Sequence, residues 1–356
     1  MLSQLKTIAK PLIKRAVITA GLEATPFYMG AIGLFGPGLL ETARGHGAIF
    51  TLHHVRPRPN SAFQPNDILD ITPEFLETAI LTLKRRGYQF IRLEDMANRL
   101  KGVETPPFAC FTLDDGYRDN AEFAAPVFTK HSVPFTIFLT KGLVDATHSM
   151  WWETIDAVLN TMDRLEFDFG NGTETLPAAT NAEKLAAFNR VSDFINSTDE
   201  ASAVARLDEA ARKAGIDPLE ITRTLTMRAD ELRKLAENPL VSYGAHTVSH
   251  RGLARLSVQE AEREVAESVA FVEAITGSRP KCFAYPYGDS RSVTQRERGI
   301  VKSLDIDIAV TTRPGTLFPK YALDATATPR ISLNGHFQKA RYVRALASGI
   351  PFKLMG

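Results

Sequence analysis

The chain has 356 residues, 44% hydrophobic and 23% charged, which suits an ordinary globular protein with one large α/β domain and an insertion. A formal net charge of +1 leaves no basic footprint for nucleic acid, so that class of partner is excluded. The two cysteines, Cys110 and Cys282, fall in apolar strand-like runs and read as small core residues rather than as a disulfide or metal knuckle.

Residues 1–47 carry Lys6, Lys10, Lys14 and Arg15 ahead of AVITAGL, an order that superficially suggests a secretory signal. The apolar run is short, is broken by Glu23 and Pro26, and lacks a small-residue cleavage site. A spanning helix needs about 20 apolar residues, which this stretch does not supply. The expectation is an amphipathic extension that packs on the domain or makes peripheral membrane contact, in a cytoplasmic or membrane-associated protein.

The domain proper opens with a strand, Ala48 to Leu52, with His53 and His54 at its C-terminal end, the end where a barrel carries its active site. After a proline-rich loop, Thr72 caps a helix begun by Pro73 and stopped by Gly87, with Phe75, Leu76, Ala79, Ile80 and Leu83 on its buried face. A strand from Tyr88 to Leu93 and a short helix in LEDMANRLKG follow. The apolar run Pro107 to Leu113 is a buried strand that breaks on Asp114, Asp115 and Gly116. Successive side chains at a strand end point in different directions, so the two acids can serve as a metal ligand and a base. A plain Asp-Gly turn fits the same residues. Residues 121–131 are helix-like despite Pro126, and PFTIFLT is the next buried strand.

From 141 to 225 the strand–helix rhythm changes. WWETIDAVLNTM is amphipathic, LEFDFGNGTETL suggests two strands about an Asn-Gly turn, and two Ala-rich helices lie between 181 and 214. This is an inserted subdomain placed to cover a pocket, with Trp151 and Trp152 candidates to stack on a sugar or simply to pack beneath the insertion. A helix at 226–237 feeds the run Leu240 to Tyr243, which leads through Gly244 to His246 and His250. On a helical turn, residues four apart share a face, and two His with one Asp make three zinc ligands with a position left for water. HxxxH alone equally fits two stray histidines on a solvated turn. A long helix is capped by Ser257 and Glu260 and stopped by Gly277; strands at 281–289, 305–312 and 329–333 complete the alternation, which argues for a parallel sheet or barrel.

TLDDGY at 112–117, HTVSH at 246–250 and AYPYG at 284–288, in that order and at strand ends, resemble the three motifs of the polysaccharide deacetylase family, the NodB-homology or carbohydrate esterase family 4 domain. The resemblance covers roughly residues 48–335. It implies a distorted (β/α) barrel that uses a divalent metal, zinc by expectation, to remove acetyl groups from N-acetylated sugars such as chitooligosaccharide. It also implies Asp114 as base, Asp115, His246 and His250 as metal ligands, and a backbone N–H near Tyr287 at the oxyanion. Two departures stand out. Ala284 occupies the place of the arginine that tethers the base, leaving Arg330 or Arg118 for that task, and ISLNGH does not match the family's Leu-x-His, since His336 comes one residue late. His54 is the favoured acid and Trp152 the favoured sugar contact. The organisation is then an extension (1–47), a barrel domain (48–335) containing the insertion (141–225), and a tail (336–356). A barrel that binds glycan without turnover, or a metal-dependent hydrolase of a non-sugar amide, fits the same residues.

Overall fold

The computed structural model describes residues 43–102 and 106–355; residues 1–42, most of the amphipathic extension, lie outside them. Seven parallel strands close on themselves: β1 (Gly47–Leu52), β5 (Phe108–Leu113), β6 (Phe135–Leu139), β9 (Val241–Ala245), β10 (Cys282–Ala284), β11 (Ile308–Pro314) and β12 (Thr328–Ser332). Around the barrel they run β1-β12-β11-β10-β9-β6-β5, and β1 pairs with β5 to complete the circle. Outside it, β4 (Gln89–Phe90) adds to β5, β2 (His54–Val55) pairs with β3 (Asp70–Ile71), and β7 (Arg164–Asp168) and β8 (Thr173–Pro177) form an antiparallel hairpin about the Asn-Gly turn.

The period-two alternation of each strand sorts its residues between two cores. Ala48, Phe50 and Leu52 of β1, with Ala109, Phe111 and Leu113 of β5, face the surrounding helices, whereas Ile49, Phe108 and Cys110 fill the barrel interior beside Cys282, Ile308 and Val310. Both cysteines are free and buried there, as small apolar residues. Carried forward, the inner register places Thr112 and Asp114 of one strand, and Thr51 and His53 of another, at the C-terminal mouth.

The helix Pro73–Arg85 starts at Thr72, whose side chain accepts from Phe75 N, and the helix Val258–Thr276 has the capping box of Ser257 and Glu260 and ends at Gly277 with φ +74°. Pro126 is accommodated in the first turn of helix Ala125–Lys130, which follows a widened turn at Asn120–Ala124. Two local expectations change. The 88–93 strand shrinks to Gln89–Phe90, and the 226–237 helix is present but shortened to Ala229–Leu235, with a separate helix, Pro218–Leu225, before it. Between these two helices Thr226 is extended, its hydroxyl donating to Leu143 O, so the chain bends where the barrel resumes.

Between β6 and β9 the chain leaves the barrel. Helices Trp151–Thr161, Asn181–Ser197 and Glu200–Lys213 and the β7–β8 hairpin gather a second core around Ile155, Val158, Val191, Ile195 and Leu207. Tyr117 and Tyr287, from two loops at the barrel mouth, join this core. Near the other end of the chain, residues 340–347 and 350–355 are helical. The helix Ala340–Ala347 buries Val343 in the main core, and Tyr88 donates its hydroxyl proton to Ala347 O at 2.8 Å. No helix among the described residues is long and apolar enough to cross a membrane.

Candidate active site

The inward register of β5 ends on Asp114. Arg330, an inward residue of β12, meets its carboxylate with two parallel hydrogen bonds, Nη1 to Oδ1 and Nη2 to Oδ2, each 2.7 Å. The same guanidinium donates to Thr112 Oγ1 at 3.1 Å and, through Nε, to Thr311 O at 3.0 Å, so its orientation is fixed from three sides. Burial alone would raise the Asp114 carboxyl, but the charge and hydrogen bonds of Arg330 outweigh it and hold the group well below the usual carboxylate range. Arg118, the other candidate for this task, faces away, paired with Glu231 at 2.9 Å.

Asp115 follows with φ +73° and Gly116 with φ +72°, so the backbone leaves the strand direction and Asp115 turns away from Arg330. Its Oδ1 lies 3.5 Å from His246 Nε2 and 3.3 Å from His250 Nε2. Burial, and then the neighbouring Asp114, push its carboxyl well up, and burial lowers both imidazoles. His246 and His250 do not share a helical face. They sit on an irregular loop after β9, and left-handed φ values at Thr247 (+64°) and His250 (+60°) curl the chain back. The loop is anchored by Glu264, which accepts from Val248 N and Ser249 N at 2.8 and 2.9 Å. Gly244, two residues before His246, is required by space, since a Cβ there would lie 2.4 Å from the Phe138 ring.

These three ligand atoms lie within 4.8 Å of one another. His246 Nδ1 donates to Ala284 O at 2.6 Å, which leaves its Nε2 lone pair pointing at the cluster, and Asp115 Oδ1 is buried without any hydrogen-bond donor. Acceptors that converge with no proton between them fit a divalent cation, and one oxygen with two imidazole nitrogens is a donor set zinc accepts.

Of the paired histidines, His53 is the one at the mouth. Its Nε2 is 3.9 Å from Asp114 Oδ2, its side chain is 23% exposed, and burial pushes its pKa down to about 4. His54, the expected acid, points the other way and is fully buried. Its Nδ1 is 2.5 Å from Asp119, its Nε2 is 3.6 Å from Glu153, and its ring lies 3.6 Å from Tyr117. Such a group has no open path to substrate. Alternation from Ile49 through Thr51 would have singled out His53 from the sequence. His336 is tied to Asp67 at 2.7 Å, away from the cluster.

Trp152 is packed over most of its surface but still lines the cleft beside His250. Its indole N–H donates to Tyr117 Oη at 2.9 Å, its ring packs 5.0 Å from that of His250, and only 8% of it is exposed. Tyr287 stands with φ +59° on the loop after β10, its ring 5.3 Å from His250, and its backbone N–H has no acceptor among the described residues. Beside His250 a cleft of about 440 Å³ runs between helix Glu200–Lys213 and the barrel, with Trp151, Asp208 and Arg251 in its walls.

The profile of the family described as polysaccharide deacetylase matches residues 101–309. No curated protein matches this chain in sequence. Among solved structures, the Streptococcus pyogenes deacetylase PplD in complex with acetate is 14% identical, with a TM-score of 0.52 over 81% of this chain and 92% of its own. IcaB from Ammonifex degensii, also 14% identical, gives a TM-score of 0.52 over 86% and 97%. A de-N-acetylase from Aggregatibacter actinomycetemcomitans, 12% identical, gives 0.51 over 82% and 96%. At these identities the likeness is one of fold, the closed seven-stranded barrel with its surrounding helices.

Proposed function

The chain belongs to the polysaccharide deacetylase family, hydrolases of carbon–nitrogen bonds other than peptide bonds, and from that premise we propose that it removes N-acetyl groups from a glycan containing N-acetylglucosamine, with a divalent metal. The observation that carries the reading is Asp114, held ionised by Arg330, standing beside the converging set of Asp115, His246 and His250.

Asp115, His246 and His250 would hold the ion, which when bound lowers the pKa of water and polarises a carbonyl as a Lewis acid. Asp114 receives the proton of the attacking water. Its carboxylate is fixed in one plane by the two bonds from Arg330, so it stays charged and aimed over the working pH range. The free N–H of Tyr287 is available to the oxyanion that develops on the acetyl oxygen, and loss of such a donor typically costs about 10²- to 10³-fold in rate. The leaving amine then needs a proton. His53 Nε2, 3.9 Å from the Asp114 oxygen, is the nearest group able to carry it there, and burial keeps this imidazole neutral and ready to accept at neutral pH. Acetate and a free sugar amine are the products.

The test is acetate release from chitooligosaccharide by wild type, Asp114→Asn and His53→Ala, with metal content measured on each. Release by the wild type alone, with metal retained in all three, is the expected result. Metal without release from the wild type would move the substrate to a non-sugar amide, and absence of metal would remove the mechanism.

A further inference from the structure

The insertion does more than cover the barrel. Its helix Trp151–Thr161 places consecutive tryptophans against two different loops of the mouth: Trp152 donates to Tyr117, two residues beyond Asp115, and Trp151 donates to Tyr287 Oη at 3.0 Å. The Tyr287 hydroxyl in turn donates to Glu200 Oε1 at 2.5 Å, a short charge-assisted bond. Glu200 opens the helix Glu200–Lys213 and is only 6% exposed. Its second oxygen accepts from Gly252 N at 3.3 Å and from Arg255 Nη1 at 3.1 Å. One carboxylate from the insertion thus joins the Tyr287 loop to the segment immediately after His250.

Backbone geometry gives this linkage a task. A non-glycine residue at φ +59° carries roughly 1–2 kcal/mol of strain and persists only where its surroundings fix it. Two restraints act on the main chain: Thr312 Oγ1 donates to Tyr287 O at 2.5 Å, and Gly288 N–H donates to Pro286 O at 2.6 Å across Tyr287. A third restraint is the side chain, gripped at its far end by Glu200 and Trp151. Together they set the direction of the Tyr287 N–H, which relaxation of φ would swing away.

We propose that Glu200 is a positioning residue, which acts through the Tyr287 hydroxyl to hold the Tyr287 backbone N–H toward the oxyanion. This rests on the deacetylase reading for its chemistry, and on geometry alone for the restraint. The insertion is on this account part of the catalytic machinery, since it fixes a donor that the barrel strand itself leaves strained.

Two readouts test it. Hydrolysis of 4-nitrophenyl acetate reports on the oxyanion without requiring sugar contacts, and backbone hydrogen exchange over residues 284–290 reports on the loop without requiring turnover. Tyr287→Phe, which deletes only the hydroxyl, and Glu200→Ala should each lower kcat about 10- to 100-fold, with KM within about twofold and metal content unchanged, as partial loss of an oxyanion donor implies. Exchange over 284–290 should quicken in both, while that of residues 108–113 stays as in wild type. The double variant should be no slower than the worse single one, because both act through one bond. An unchanged kcat in Tyr287→Phe, or unchanged exchange in both variants, overturns the proposal. A wild type inactive on the ester would count against the deacetylase reading, and exchange would still decide the positioning: faster exchange upholds it and equal exchange overturns it.

Discussion

Arg330→Met is the sharpest perturbation the site offers. Arg330 is 1% exposed and makes four hydrogen bonds, two of them to Asp114, which is itself 2% exposed. Methionine nearly preserves the volume of the stem but leaves Asp114 as a buried carboxylate without a partner. Breaking a buried pair by removing one member costs about 3–5 kcal/mol, more than the pair itself contributes, because the remaining charge is stranded. The sign of the pH dependence follows. In wild type the folded carboxyl is held down, so its contribution is present above the unfolded value of about 3.9 and is lost only as pH falls through the depressed folded value. In Arg330→Met burial, the largest influence, is opposed only by the weaker fields of His246 and His53, so the folded value rises above the unfolded one, and stability is lost as pH climbs from about 4 through the raised value. The gap between the two proteins therefore widens with pH above about 4. Urea denaturation at pH 4 and pH 7 measures it, and the acid limb of activity should move upward in the variant. The double variant Arg330→Met/Asp114→Asn, which strands no charge, should recover much of the loss. A penalty under about 1 kcal/mol at pH 7, or a double variant no more stable than Arg330→Met, would refute the reasoning.

His54 supplies the opposite sign. Burial opposes its charge, but Asp119 and Glu153 outweigh it and raise its pKa to about 9, so protonated His54 contributes stability below about 6.5 that is lost as pH rises through 9; His54→Gln should flatten the stability–pH curve in that window. Zinc should raise the melting temperature of wild type, worth about 4 kcal/mol at a thousandfold excess over Kd, and should leave that of Asp115→Ala unmoved; equal shifts in both would place the ion elsewhere. Gly244→Ala should cost about 1–3 kcal/mol in chemical denaturation and reduce metal affinity, since its Cβ would press on Phe138 and, at 2.9 Å, on Cys282 O just before His246; wild-type behaviour would mean that β9 gives way without strain.

The barrel was legible because its rules are local. Apolar runs, caps at Thr72 and Ser257 and the glycine stop at Gly277 each act within a few residues; the caps and the stop appear where the sequence puts them, and of the expected strands only 88–93 contracts markedly, to Gln89–Phe90. The cluster of Asp115, His246 and His250 was legible as a list of residues, but for a geometric reason that does not hold. The i, i+4 spacing of His246 and His250 suggests a helical face, whereas the two imidazoles converge because Thr247 and His250 take left-handed φ in a loop pinned by Glu264. Nothing in HTVSH encodes that curl, since the pinning carboxylate comes from a helix in the next part of the chain. His54 was favoured over His53 because strand-end position was weighed without strand phase. Two adjacent residues at a strand end face opposite ways, and only the one in phase with Ile49 and Thr51 enters the mouth.

The displaced arginine shows why a motif can be missing while its chemistry remains. The resemblance puts the tether of the base on the strand where Ala284 stands, on β10. What the proposed base, Asp114, requires is a guanidinium in the plane of its carboxylate, and in a closed barrel every strand sends alternate residues to the same interior. β1 pairs with β5 on one side and with β12 on the other, so an inward arginine on β12 has only one strand between it and Asp114. Arg330 crosses that distance past Thr112, to which it also donates, and arrives with both nitrogens at 2.7 Å. With Ala284 small, no second cation competes for the carboxylate, and the Ala284 backbone oxygen instead orients His246. Restoring the arginine by Ala284→Arg would therefore not strengthen the site. It would force a second guanidinium into a filled interior beside Arg330, and loss of both stability and metal binding is the expected outcome.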